Sequence, residues 1–328
     1  GAYFSSDEMS EYYHYFMSDS LYGFASADWG LATPFAVAPI MELDTKYEQE
    51  TDSAAVFGHM EWRFSEAWRL TLGARYTSEE RTWTGCTFVA DDGSLAGFMN
   101  FAFGTSMGPG DCATIDDDPD SPTNILSMII AGTPDEAFSV FSETIKTDRL
   151  MGKVTLDYSV NDDVLLYGTV SNGFKSGGFN GANSNGTRQL QPIREEVLTA
   201  YEGGVKATLA DGRMQLNAAA FFYDYKDKQE QDAAVTFVGN ISGLANVDKS
   251  EIQGAELDLQ WAPADGWMVL LGLALLDTEI KEWMAVDRDL SAWPTIVLKD
   301  VSGGELAMSP DMQFNGQIGK EWAVGDGK

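Results

Sequence analysis

Apolar residues recur at every second position through much of this chain, the period of a β-strand with one oily face. Ala54, Val56, Gly58, Met60, Trp62 and Phe64 share one side, with Phe57, His59, Glu61 and Arg63 on the other. Trp68, Leu70, Leu72, Ala74 and Tyr76 then alternate with Arg69, Thr71, Gly73 and Arg75. The short segment between these runs predicts a hairpin. The unit recurs. Leu150, Val154, Leu156 and Tyr158 are interleaved with Arg149, Lys153 and Asp157, and the turn at 161–163 leads into VLLYGTVS. Val197, Tyr201, Val205 and Leu209 alternate with Glu202, Lys206 and Thr208, then ADGR leads to Leu216, Ala218, Ala220 and Phe222. Ala255, Leu257, Leu259 and Trp261 alternate with Gly254, Glu256, Asp258 and Gln260, and PADG leads to Trp267, Val269, Leu271, Leu273 and Leu275. Phe314, Gly316, Ile318 and Trp322 close the series against Gln313, Asn315, Gln317 and Glu321.

The connections alternate as well. Tight turns are predicted near 65–67, 161–163, 210–213, 262–266 and 325–328, with long segments over 7–46, 85–145, 176–194, 229–244 and 282–307. Compact domains avoid structureless loops beyond about 12–15 residues, whereas transmembrane barrels pair long outer loops with short inner turns. Aromatics flank the short turns (Phe64 and Trp68, Tyr158 and Tyr167, Trp261 and Trp267), where an interfacial girdle belongs. A soluble β-sandwich would also alternate. Predicted strands of about 12–16 residues, long against the usual five or six, and charges deep within the polar face favour the all-β, antiparallel transmembrane barrel.

Composition narrows the function classes. The 328 residues hold 21 Lys and Arg against 51 Asp and Glu, a net charge of −30, which excludes a phosphate-binding surface for nucleic acid. A content of 44% hydrophobic residues excludes disorder. The longest apolar run, 267–276, is too short for a spanning helix of about 20 residues but long enough for a spanning strand. No basic and apolar leader follows Gly1, and both ends read as cut, so the chain is expected to be a piece of a longer barrel.

Four segments carry a resemblance. YGTVSNGFKSGGFNG (167–181), AYEGGVKATLADGRMQLNAAAFFYDYKDKQ (200–229), SAAVFGHMEWRFSEAWRLTLGARYTSEER (53–81) and NVDKSEIQGAELDLQWAPADGWMVLLGLALLDTEI (246–280) resemble strand-and-loop signatures of TonB-dependent outer-membrane receptors. The resemblance implies a barrel of about 22 strands around a plug, of which about ten fall here. The plug domain, TonB box and final strands are expected outside residues 1–328. It implies residence in the outer membrane of a Gram-negative bacterium, against lipid. The implied activity is uptake of a scarce nutrient, foremost a ferric siderophore or another iron chelate, energised by the TonB complex. The alternatives are a passive porin-like channel, a structural barrel with adhesive loops, or a soluble acidic β-protein.

Several residues are candidates for ligand contact. Tyr12, Tyr13, Tyr15, Phe16, Tyr22, Phe24 and Trp29 crowd the first long segment away from period two, so a loop is predicted there. Such aromatics suit ligand capture or a small loop core. The resemblance adds Phe174, Lys175, Phe179 and Asn180. Cys86 and Cys112 are expected to form a disulfide in an oxidising exterior. Asp116, Asp117, Asp118 and Asp120 could offer oxygens to a divalent cation, but without calcium-loop spacing a solvated acidic loop is the expectation. No Lys or Arg precedes Lys46 or falls between Arg81 and Lys146, so an acidic mouth that disfavours polyanions is predicted. The charges of the inward face are expected to pair with one another or with the plug.

No catalytic residue and no cofactor is predicted. GTSMG at 104–108 has the letters of a nucleophile elbow but not its strand-to-helix setting, and only His14 and His59 could serve as bases.

Overall fold

The computed structural model describes residues 1–16, 40–181, 184–237, 239–322 and 325. Ten strands pair in sequence order into one antiparallel sheet. They are β1 (Ala2–Phe16), β2 (Glu42–Arg63), β3 (Trp68–Val89), β4 (Phe141–Asn161), β5 (Val164–Lys175), β6 (Glu196–Leu209), β7 (Met214–Thr236), β8 (Gly239–Trp261), β9 (Trp267–Glu282) and, last in the sheet, β12 (Met312–Lys320). A separate ribbon, β10 (Met284–Val286) with β11 (Leu298–Asp300), lies between β9 and β12. No described helix is long and apolar enough to cross a membrane.

Register converts the sequence alternation into two continuous faces. Met60, Leu72, Val154, Val170, Tyr201 and Phe222 pair one to the next across β2 to β7. Leu257, Leu273 and Phe314 continue that face across β8, β9 and β12. Most of these side chains are exposed, together with Trp62, Leu156, Trp261 and Ile318. An oily surface of this extent cannot be left in water. The opposite face carries the row Arg69, Asp157, Tyr167, Gly204, Ala219 and Glu256. Apolar-out and polar-in alternation along antiparallel strands is the signature of a membrane barrel wall.

Among the inner-face charges, Arg69 forms ion pairs with Glu61 and Asp157. Arg69 Nε meets Asp157 Oδ2 at 2.7 Å and its guanidinium lies 3.6 Å from Glu61. Tyr167 OH donates to Glu202 Oε1 at 2.7 Å. Lys153 makes no ion pair among the described residues.

Three predicted loops are corrected. Residues 7–46 are not one loop: every position from Ala2 to Phe16 pairs with β2. Aromatics stand on both faces there, which hides the period. Residues 229–244 form the far end of the β7–β8 hairpin, paired up to Thr236 and Gly239, because Ala233, Val235 and Phe237 bury beneath the neighbouring loops. Strands reach 22 or 23 residues, beyond the predicted lengths, because they continue as ribbons past the membrane band. Within 85–145, β3 persists to Val89, and helices α1 (Ser94–Phe103) and α2 (Ile125–Ala131) follow, then a 3-10 turn over Pro134–Ala137. The predicted turn at 325–328 lies outside the described residues apart from Gly325.

Candidate functional site: the long-loop end of the sheet

At the long-loop end, five segments share one hydrophobic core. Ile40 and Leu43 enter from β2 and its approach, and Val89 from β3. Leu95, Phe98 and Met99 come from α1, Ile115 and Ile125 from the following loop and α2, and Phe237 from the β7–β8 turn. Phe98 stacks on Phe237 at 6.1 Å, and Phe103 meets Trp293 edge-on at 6.0 Å. Cys86 and Cys112 are joined in a disulfide, Cα atoms 5.9 Å apart, tying the start of this cap to β3. Helix α1 begins and ends on the left-handed glycines Gly93 and Gly104, conformations that a side chain would strain.

The acidic run sits at the junction of these segments, and Asp116 and Asp117 are buried, contrary to a solvated loop. Donors explain the burial. Asp116 Oδ2 accepts from Ser121 Oγ at 2.5 Å and Thr123 Oγ1 at 2.6 Å, and its Oδ1 from Thr187 Oγ1 at 3.1 Å. Asp117 accepts from the Arg188 amide at 3.0 Å and from Trp293 Nε1 at 3.1 Å. Burial pushes the Asp117 carboxyl above its ordinary range, opposed by these bonds and by the Arg188 charge. Asp118 and Asp120 belong to a turn in which the Asp120 amide donates to Asp118 Oδ1 at 3.0 Å. Among the described residues no group of three or more His, Cys, Asp or Glu is arranged to hold a metal ion.

The sequence-predicted aromatics divide between the faces. Tyr13 and Tyr15 stand on the inner face and continue a column through Tyr47 and Trp83 to Phe179, with centroid spacings of 5.5–6.4 Å. Glu11 accepts from both Tyr13 OH and Tyr47 OH, the latter at 2.6 Å, which lowers its carboxyl's pKa. Gly85 and Gly181 make room for Trp83: a Cβ on Gly85 would lie 2.5 Å from the indole, and one on Gly181 2.8 Å from it. Tyr12 and Phe16 point outward and are exposed. Tyr22, Phe24 and Trp29 lie outside the described residues.

The remaining candidates separate in the same way. Phe174 pairs with Val197 on the outward face, while Lys175 pairs with Glu196 on the inner face and is exposed. Asn180 is committed to structure, receiving the Leu244 amide at 2.7 Å and donating to Leu244 O at 3.1 Å. Sequence reading missed Asp117, Arg188 and Trp293 as partners, since 71 and 176 residues separate Asp117 from the other two. It also missed Tyr47 and Trp83, which follow strand periodicity and carry no loop signal.

A wall with an oily outer face, a charged inner face and a folded cap at one end defines a transmembrane β-barrel segment with an elaborated outer mouth. Residues 2–326 match the family TonB dependent receptor-like, beta-barrel, and the chain belongs to that family of outer-membrane proteins. It is 31% identical over 120 residues to the pesticin receptor of Yersinia pestis, covering 37% of this chain and 17% of that protein. In fold it is similar to the ferric yersiniabactin uptake receptor FyuA of Yersinia pestis, with TM-score 0.56 and 16% identity, covering 85% of this chain and 33% of that one. The siderophore receptor PiuA of Acinetobacter baumannii gives TM-score 0.50 and 14% identity, covering 84% of this chain and 31% of that one. The chain thus spans about a sixth of the curated relative and a third of each solved structure.

Proposed function

We propose that this chain forms part of the wall and outer mouth of a receptor that takes up a scarce nutrient, foremost a ferric siderophore, with TonB supplying energy. The family match over residues 2–326 carries the reading. The names of the similar proteins, a ferric yersiniabactin uptake receptor and a siderophore receptor, support the cargo class. β1 and β12 each pair with one neighbour among the described strands, which supports a larger barrel completed by further strands.

Within this reading Tyr13, Tyr15 and Lys175 are the ligand-side candidates, because all three stand on the inner face toward the long-loop end. Tyr12, Phe16 and Phe174 face away from it. The surplus of acid in the cap disfavours polyanionic chelates. The chain performs no catalysis in this reading: Ser106 Oγ donates to Asp135 Oδ2 at 2.8 Å in a loop that follows a helix.

The test is uptake of radiolabelled ferric chelates by cells with and without the whole protein, before and after collapse of the proton gradient. Uptake that needs both the protein and the gradient is expected. Entry that persists after collapse would instead mark a passive channel.

A further inference from the structure

Helix α2 shows two characters. Ile125 is buried in the cap and Met128 packs against the same core. Leu126, Ile129 and Ile130, at i, i+3 and i+4, form a separate face that is 52%, 40% and 87% exposed. Asn124 caps the helix through a bond from the Leu126 amide at 3.0 Å, and left-handed Gly132 ends it. The face is therefore fixed by built-in start and stop signals and is not the product of fraying. Three clustered large aliphatic side chains on an outermost loop are an interaction feature.

Charge identifies the partner. Asp118 and Asp120 precede the helix, Asp135 and Glu136 follow it, and no Lys or Arg occurs between Arg81 and Lys146. Two occupants are excluded on physical grounds. A second copy would set this acidic rim against its own like, because a twofold interface is self-complementary. The bilayer is out of reach: β3 runs 22 residues, roughly 70 Å along the strand and roughly 55 Å along the axis at a tilt of about 40°, against an apolar band of about 25 Å.

We propose that the Leu126, Ile129 and Ile130 face of α2 is a docking surface for a cationic amphipathic polypeptide, one that lays an apolar helical stripe on these side chains and sets Lys or Arg against the acidic rim. Helix α2 packs in a different core cluster from the inner-face column of Tyr13, Tyr47 and Trp83, so the proposed partner would use none of that column's residues.

The experiment uses the whole receptor in lipid nanodiscs and an 18-residue Leu/Lys amphipathic helix as probe, with a Leu/Glu counterpart. Saturable binding of the Leu/Lys peptide alone is expected. Leu126→Asp with Ile130→Asp should weaken it at least tenfold, and Asp120→Asn with Glu136→Gln about threefold at low salt and less at high salt. These residues are exposed, and unchanged heat-modifiable gel mobility verifies that the variants fold. Equal binding of both peptides, no saturable binding, or binding unaffected by the Leu126 and Ile130 changes overturns the proposal. Self-association abolished by those changes would overturn it too, by giving the face to a second copy.

Discussion

The indole of Trp293 donates to the carboxylate of Asp117 at 3.1 Å, joining segments 176 residues apart in the chain. The same carboxylate holds the Arg188 amide, and the Arg188 guanidinium donates to Pro294 O at 3.1 Å. Three outer segments thus converge on one buried acid. Removing the indole donor while keeping an aromatic ring, Trp293→Phe, leaves a buried carboxylate short of a partner, at about 1–3 kcal/mol. Hydrogen exchange should accelerate in 184–195 and 283–297 together, with β2 to β5 unchanged near their short turns. Acceleration confined to 283–297 would show that the three segments are not coupled.

A second prediction concerns pH. His14 Nδ1 lies 2.5 Å from Asp44 Oδ1, beyond the membrane band. That hydrogen bond, with the charges of Asp44, Glu42 and Asp92, raises the His14 pKa above its ordinary 6.5 against a smaller opposing effect of burial. A raised folded value means that the contribution is complete below 6.5 and is lost as pH rises through the folded value. Exchange protection at the far end of the β1–β2 ladder, corrected for intrinsic rate, should therefore be complete below pH 6.5 and fall as pH rises above it through the raised folded value. His14→Gln should flatten the profile, and a profile unchanged by that substitution would contradict the assignment.

The disulfide constrains a separation of 26 residues. By loop-closure entropy it stabilises the cap by about 3.5 kcal/mol. Replacing both cysteines with serine should make residues 90–140 protease-sensitive while leaving the barrel's heat-modifiable mobility intact. Loss of the mobility shift as well would mean that cap and barrel fold as one unit.

Adjacent residues should respond oppositely to charge. Val154 points outward near the middle of the apolar band, and Lys153 points into the lumen-side cavity of about 340 Å³ with Arg69, Tyr167 and Glu202. Val154→Arg should cost about 2–4 kcal/mol in lipid, whereas Lys153→Gln should stay within about 0.5 kcal/mol. Denaturant titration in bilayers measures both.

The wall was legible because burial follows period two wherever one face meets lipid. Met60, Leu72 and Val154 could be placed from spacing alone. Above the band that rule lapses, since both faces of β1 carry aromatics: Tyr12 and Phe16 outward, Tyr13 and Tyr15 inward. The far end of β7 and β8 was hidden for a related reason. Its residues are covered by loops on one side, and coverage by distant chain leaves no periodic trace. Asp117 shows the same limit. A run of acids looks solvated until the donors from Thr187, Arg188 and Trp293 are brought beside it.

The central claim, that one sheet faces lipid on one side and a watery lumen on the other, is tested most directly by single spin labels along 148–158 of the whole protein in bilayers. Oxygen should relax labels at the even positions preferentially, and a water-soluble nickel chelate those at the odd positions, with period two throughout. Equal accessibility at both, or the chelate reaching Val154 and Leu156 in preference to Lys153 and Asp157, would contradict a membrane-spanning wall.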